Sequence, residues 1–205
     1  TDLSATSALW EDMSEGYNTT QYFTIAMSKE ANDDRIMGGA QDNGTIYFQE
    51  NGSAGSLEFS DGTAICAGDG SYGYFGENYA YTSFQAGRAR RANYLNPDQT
   101  EIQTHFSFSL VNVAPPSSAN TADMFYIHPF AIDPNDEKYM YFPEKNTIWR
   151  NSNLEAFNPM NYWTKLNSIA APSNYTITDL AVSNEPAHRL YFGASHFTLK
   201  PKLYR

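Results

Sequence analysis

The sequence predicts an all-β chain folded as a β-propeller, with about four blades of four strands each. Three observations predict it. Aromatic residues make up 15% of the 205-residue chain, with 15 Tyr and 13 Phe, and such side chains suit the half-buried surface of a sheet. Helical periodicity is nearly absent: the longest helix candidate, residues 2–10, has no sustained i, i+3, i+4 stripe. Finally, a unit of strand, polar turn and strand recurs along the chain, bounded by Gly, Asn, Asp or Pro.

The copies read in order as follows. The first is Tyr22-Phe23-Thr24-Ile25-Ala26-Met27-Ser28, a polar turn, then Arg35-Ile36-Met37-Gly38-Gly39. It continues through Gln41-Asp42-Asn43-Gly44 into Thr45-Ile46-Tyr47-Phe48, and Asn-Gly between strand formers is a strong hairpin signal. A weaker copy passes from Tyr72 through Tyr79-Ala80-Tyr81-Thr82 to Arg91. The next joins His128-Pro129-Phe130-Ala131-Ile132-Asp133-Pro134 to Lys138-Tyr139-Met140-Tyr141-Phe142 and Thr147-Ile148-Trp149-Arg150. The last joins Ile177-Thr178-Asp179-Leu180-Ala181-Val182-Ser183 to Arg189-Leu190-Tyr191-Phe192-Gly193.

An aromatic strand precedes each unit: Leu9-Trp10-Glu11-Asp12-Met13, Leu57-Glu58-Phe59, Phe106-Ser107-Phe108-Ser109-Leu110 and Tyr162-Trp163-Thr164-Lys165-Leu166. Blades are therefore expected near residues 9–48, 57–94, 105–150 and 162–205 of one propeller segment spanning 1–205. The repeat of roughly 45 to 60 residues separates a propeller from a Greek-key sandwich, whose strands would not recur in a fixed order. Four units are few for a ring. The expectation is a part of a larger ring, completed by further blades of the same or another chain.

Composition narrows the function. Formal net charge is −10, a sign that repels nucleic acid and anionic membranes, so neither is expected as a partner. No apolar run approaches the length of a membrane span. Cys66 is the lone cysteine, which excludes an intrachain disulfide and a cysteine zinc site; in the apolar run of residues 63–67 it reads as a buried, inert thiol. Arg88, Arg90 and Arg91 form the only basic cluster. Alternation puts Arg88 and Arg90 on one strand face, either as a charged guard or as a site for an anion or carboxylate.

The glycine-rich turns carry the candidate site. Gly38-Gly39-Ala40-Gln41-Asp42-Asn43-Gly44-Thr45, then Gly68-Asp69-Gly70, then Tyr81-Thr82-Ser83-Phe84-Gln85-Ala86-Gly87 with Arg88, resembles the series found in secreted bacterial propellers with BNR or Asp-box repeats, of the sortilin-like and xyloglucanase-like type. The likeness covers about residues 10–205 and is strongest over 35–91. Trp149-Arg150-Asn151-Ser152-Asn153 with Tyr162-Trp163-Thr164-Lys165-Leu166 is similar to a degenerate Asp box, with Asn153 where the Asp is expected and residues 154–161 interrupting it. The resemblance implies a propeller outside the cell or at the cell surface. It does not imply an activity, because one fold hosts many functions.

An enzyme of this group would be a glycoside hydrolase, which needs two carboxylates about 5–10 Å apart. Asp42 and Asp69 are the catalytic candidates, ahead of Asp61, Asp123, Asp133 and Asp179, and each also reads as a turn-capping residue. The catalytic motifs of the xyloglucanase-like enzymes are not found, and the clustered arginines cannot form a sialidase triad spread over three blades. His105, His128, His188 and His196 lack metal-ligand spacing. Oxygen ligands in residues 133–137 and 41–44 are of the kind calcium takes, but turns are the expected reading, so no cofactor is assigned.

With no catalytic set, the expected role is binding or scaffolding, toward a glycan or protein ligand. The residues expected to serve it are Gln41, Asp42, Asn43, Asp69, Tyr72, Tyr74 and Arg88. In that reading Tyr72 and Tyr74 belong to an aromatic platform over residues 70–79, unless they pack between blades.

Overall fold

A computed structural model of the chain describes residues 20–30, 33–48, 62–95, 102–104, 110–116 and 123–205. Four antiparallel sheets are arranged as a four-blade β-propeller. Sheet 1 contains β1 (Tyr22–Met27), β2 (Ile36–Ala40), β3 (Gly44–Phe48) and β4 (Thr63–Cys66). Sheet 2 contains β5 (Gly70–Phe75), β6 (Tyr79–Phe84), β7 (Arg88–Asn93) and β8 (Val111–Asn112). Sheet 3 contains β9 (Ala131–Ile132), β10 (Met140–Glu144), β11 (Thr147–Asn151) and β12 (Trp163–Ala170). Sheet 4 contains β13 (Thr176–Val182), β14 (Leu190–Ser195) and β15 (Lys202–Tyr204).

In every sheet, sequence neighbours pair as spatial neighbours, the meander order of a propeller blade. One expected strand changes place. The aromatic strand at Trp163 closes sheet 3 instead of opening the fourth unit: Trp149 pairs with Lys165 and Asn151 with Trp163 across β11 and β12. A repeat read along a chain has a period but no phase, so an outer strand and an inner strand of the next blade look alike. The corresponding segments at residues 9–13, 57–59 and 106–109, and the helix candidate at 2–10, lie outside the described residues.

Three apolar clusters join the sheets face to face. Met37, Tyr47 and Ile65 of sheet 1 meet Phe75, Ala80 and Ala92 of sheet 2. Tyr81 and Ala89 of sheet 2 meet Ile132, Met140 and Phe142 of sheet 3. Ile148 of sheet 3 meets Ile177, Leu180 and Phe192 of sheet 4. Alternation along each strand sends one set of side chains into each interface. Among the described residues, no such cluster joins sheet 4 to sheet 1. Ile25 and Met27, on the far side of β1, are 65% and 71% exposed.

Sheets 1 and 2 touch through bare backbone. A Cβ on Gly39 would lie 2.0 Å from the carbonyl oxygen of Ser71, and one on Gly70 would lie 2.0 Å from that of Gly44. A hydroxyl pair, Thr45 Oγ1 and Thr82 Oγ1 at 2.6 Å, is sealed into the same seam. Between sheets 2 and 3, buried Arg91 is the strut. Its Nη1 donates to the carbonyls of Leu154 and Ala156, and its guanidinium lies 4.3 Å from the ring centre of Tyr79. Cys66 is buried, and burial pushes its thiol up to about 11, in keeping with an inert role.

His128 is a buried titratable group of the sheet 2–sheet 3 core, with its ring against Phe142. Its Nδ1 accepts the Phe125 N–H at 3.0 Å, which leaves the proton on Nε2 to be donated to the Pro143 carbonyl at 2.8 Å. Burial lowers its pKa to about 4, against the contrary effect of the Pro143 carbonyl. The unfolded imidazole takes its proton near 6.5. Between those values the unfolded chain binds more protons, so stability is full above 6.5 and declines as pH falls toward 4.

Unfolding in urea at pH 7.5 and pH 4.5 should differ by on the order of 3 kcal/mol through His128, and His128→Gln should remove that share of the dependence. Gly39→Ala should cost about 2–3 kcal/mol by forcing the backbones of sheets 1 and 2 apart. Gly193→Ala, where an added Cβ meets nothing within 4 Å, should change the unfolding free energy measured in urea by roughly 0.5 kcal/mol or less.

Candidate functional site

The candidate site is a rim where the turns of sheets 1 and 2 converge. Residues 41–43 link β2 to β3, residues 67–69 link β4 to β5, and residues 85–87 link β6 to β7. The first and third are equivalent hairpins: Ala40 pairs with Gly44 and Phe84 with Arg88, with three residues between them in each case. Both need left-handed backbone, at Asp42 (φ 59°) and Ala86 (φ 62°). The counterpart of the Gln41-Asp42-Asn43 turn is therefore Gln85-Ala86-Gly87. Gly68-Asp69-Gly70 is instead the crossing from one blade to the next.

Asp69 ties the three turns together. Its carboxylate Oδ1 accepts the Asp42 N–H at 2.9 Å, and its Oδ2 accepts the Tyr126 hydroxyl. Its own N–H donates to Gln85 Oε1 at 2.9 Å, and its carbonyl accepts the Gln85 N–H at 3.1 Å. The Ala86 N–H donates to the Tyr126 carbonyl at 3.0 Å. The Gly44 N–H donates to the Gly68 carbonyl at 2.6 Å. The hydrogen bond from Tyr126, with that from the Asp42 N–H, holds the Asp69 carboxyl below its ordinary value. The same bond to Asp69 raises the Tyr126 phenol, which stays protonated. Asp69 is thus a permanent acceptor at neutral pH, and the residue is 8% exposed.

Around this anchor the side chains of Gln41, Asp42 and Asn43 are exposed, and Tyr126 is 59% exposed. Asn43 Nδ2 donates back to the Gln41 carbonyl at 3.1 Å. Arg88, also exposed, follows the Gln85-Ala86-Gly87 turn. Its guanidinium lies 5.8 Å from the Phe84 ring centre, and that of Arg90 lies 5.2 Å from it. The two arginines share one strand face, as alternation requires. Their strand is the third of its sheet and not an edge.

Gln41, Asp42, Asn43, Asp69 and Arg88 are thus brought to one rim. Tyr72 and Tyr74 are not. Both are half-buried on β5 against the sheet 2–sheet 3 cluster, with the Tyr72 ring 6.5 Å from that of Phe130. The Tyr74 hydroxyl donates to Glu137 Oε1 at 3.3 Å, at the far end of β5. Burial, and then Glu137, raise the Tyr74 pKa. A polar cleft of about 330 Å³ opens at that end, lined by Lys29, Glu77, Asn78, Asp136, Glu137 and Glu155 among others. Its groups are engaged with one another: Glu137 accepts from Lys29 and from the Glu77 N–H, and Glu155 accepts from Asn78.

The other carboxylates have structural partners. Asp133 is buried; burial works to raise its pKa, but His188 Nδ1 at 2.7 Å and Asn135 bring it below the ordinary value. Asp123 pairs with Lys145, and Asp179 is exposed on β13. His196 Nδ1 accepts the N–H groups of Thr198 and Leu199. Asp61 and His105 lie outside the described residues. No group of His, Cys, Asp and Glu able to hold a metal occurs among the described residues. The loop read as a degenerate Asp box does join the two outer strands of a blade, β11 and β12. Its organiser is Asn151, whose Oδ1 accepts the Asn153 N–H at 2.8 Å and whose Nδ2 donates to the Pro159 carbonyl at 2.8 Å.

Tyr126 is the rim residue that the sequence did not single out. It lies in a link between blades, outside every strand repeat, and only the fold carries it to Asp69. No protein-family model matches the chain, and no curated protein matches it. The propeller arrangement is common ground with the Asp-box proteins; membership of that family is not shown. Among the described residues, no helix is long and apolar enough to cross a membrane.

Replacing Tyr126 by Phe should raise the Asp69 carboxyl toward its ordinary value of 3.8, read by carboxyl-carbon NMR titration. An unchanged titration would assign the whole effect to the Asp42 N–H.

Proposed function

We propose that this propeller is a binding module at the cell surface or outside the cell, and that the rim around Asp69 takes a polyhydroxylated ligand, a glycan. The observation that carries this reading is the Asp69 carboxylate, buried, ionised and fixed by Tyr126 and the Asp42 N–H among the exposed side chains of Gln41, Asp42 and Asn43. Such a set offers fixed acceptors, amide donors and a phenol face, the equipment that sugar hydroxyls and sugar ring faces call for. Arg88 at the same rim favours a glycan that carries a carboxylate. The extracellular setting rests on the low charged fraction, 18%, and on the resemblance to Asp-box propellers.

A glycoside hydrolase acting through Asp42 and Asp69 is less well supported. A general acid needs a carboxyl that stays protonated near neutrality, and Asp69 is displaced in the opposite direction.

On a glycan array the chain should retain acidic or neutral oligosaccharides, and Asn43→Ala and Asp42→Asn should weaken that retention about tenfold without changing the thermal midpoint. Polysaccharide cleavage that disappears in Asp69→Asn would replace the binding reading with the hydrolase.

A further inference from the structure

Arg88 and Arg90 sit on one face of β7, in a chain whose net charge is −10. Phe84 stands opposite Arg88 in the ladder, and Arg90 stands between Thr82 on one side and Asn112 on the other. Residues paired across a ladder share a face, so Phe84, Arg88, Arg90 and Asn112 lie together. Thr82, on the same face, is sealed against Thr45 of sheet 1. The cluster therefore borders the seam between sheets 1 and 2, directly after the Gln85-Ala86-Gly87 turn of the Asp69 rim.

This cluster offers hydrogen-bond donors alone. Asn112 Oδ1 is taken twice, by Arg90 Nη1 at 2.7 Å and by the Ala114 N–H at 3.3 Å. That fixes the amide and turns Asn112 Nδ2 the other way, on an exposed residue. Arg88 is exposed, and its side chain donates no hydrogen bond among the described residues. Arg90 is half-buried and gives Nη1 to the Ala89 carbonyl at 3.1 Å as well as to Asn112. Among the described residues neither arginine forms an ion pair, although the chain has 23 Asp and Glu. Other partly covered cations do meet a carboxylate: Arg35 meets Asp33, and Lys165 meets Glu144. Burial lowers the Arg90 pKa, and Arg88 lowers it further. Two neighbouring cations, one of them partly desolvated, carry a free-energy cost that a bound anion would offset.

We propose that Arg88, Arg90 and Asn112 form a cradle for an oxyanion, the carboxylate or sulfate group of an acidic ligand lying along the rim. A guanidinium fork matches two oxygens of such a group, and Asn112 Nδ2 adds a neutral donor. Phe84 lies under both guanidiniums, which restricts them before the anion arrives and reduces the freedom lost on binding. A cation finds no acceptor in this set. As the charged group of a glycan the oxyanion rests on the reading of the rim given above; the cradle itself does not.

The test uses the 205-residue chain at low salt, followed by the NMR signals of the arginine Nε–H groups and Asn112 Nδ2. Sodium sulfate or sodium acetate should shift the Arg88, Arg90 and Asn112 signals to saturation, and Arg189 and Arg205, exposed elsewhere, should serve as unsaturated controls. The tighter of the two anions names the group. Trigalacturonate should bind about tenfold more tightly than its methyl ester, and Arg90→Gln should abolish the difference. So should Arg88→Gln, on an exposed side chain whose loss leaves the thermal midpoint in place. Cradle signals that move no more than those of Arg189 would overturn the proposal. Equal binding of acid and ester with those signals still would overturn the cradle and leave the glycan reading standing. Saturation by sulfate or acetate with neither sugar retained would overturn the glycan reading and support the cradle.

Discussion

Where sheet 1 meets sheet 2 the two backbones come so close that side chains are excluded, and much of the fold is organised by that contact. Gly39 lies against the Ser71 peptide and Gly70 against Gly44; within sheet 1, Gly44 also lies against the Cys66 carbonyl of β4, which a Cβ would approach to 1.7 Å. Gly44 also needs φ of +70°, open to glycine at little cost. The contact sets the spacing and angle of the first blade pair. It thereby places Met37 and Tyr47 over Phe75, and it brings the Gln41-Asp42-Asn43 turn within hydrogen-bonding distance of Asp69.

From that seam the structure grows by repetition. Sheets 2 and 3 each use one face for the preceding sheet and the other for the next, so the core is three interfaces rather than one centre. Polar devices recur at the interfaces: the Thr45–Thr82 hydroxyl pair, the Arg91 strut and the Asp133–His188 pair each join neighbouring blades, while the His128 ring ties the Phe125 N–H to the Pro143 carbonyl at the edge of the sheet 2–sheet 3 core. Buried polar groups left without partners would cost far more than paired ones return, so these pairs fix which blade faces are compatible.

The two ends and the last sheet then differ in chemistry. One rim holds an ionised carboxylate among exposed amides and a tyrosine; the opposite end holds carboxylates already matched to Lys29 and to backbone N–H groups. Residues 186–205, which include β14 and β15, carry a net positive charge in an otherwise acidic chain. These contrasts arise from side chains at strand ends and turns, which the packing demands of the cores leave free to vary.

The sequence by itself determined the all-β class, the strand–turn grammar and the glycine turns. Those depend on residues close in the chain: Asn43-Gly44 can only make a tight turn, and Tyr, Phe and Ile at alternate positions can only bury one face of a strand. It also put Arg88 and Arg90 on one face by alternation. Tertiary structure alone decided the rest. It assigned Trp163 to the outer edge of sheet 3, because a repeat carries no phase. It turned Gly68-Asp69-Gly70 from an echo of the first hairpin into a crossing between blades. It folded Tyr72 and Tyr74 against a neighbouring blade and brought Tyr126, 57 positions away, onto Asp69. Those outcomes depend on which sheet faces which, and that is set by contacts between residues distant in sequence that no local pattern encodes.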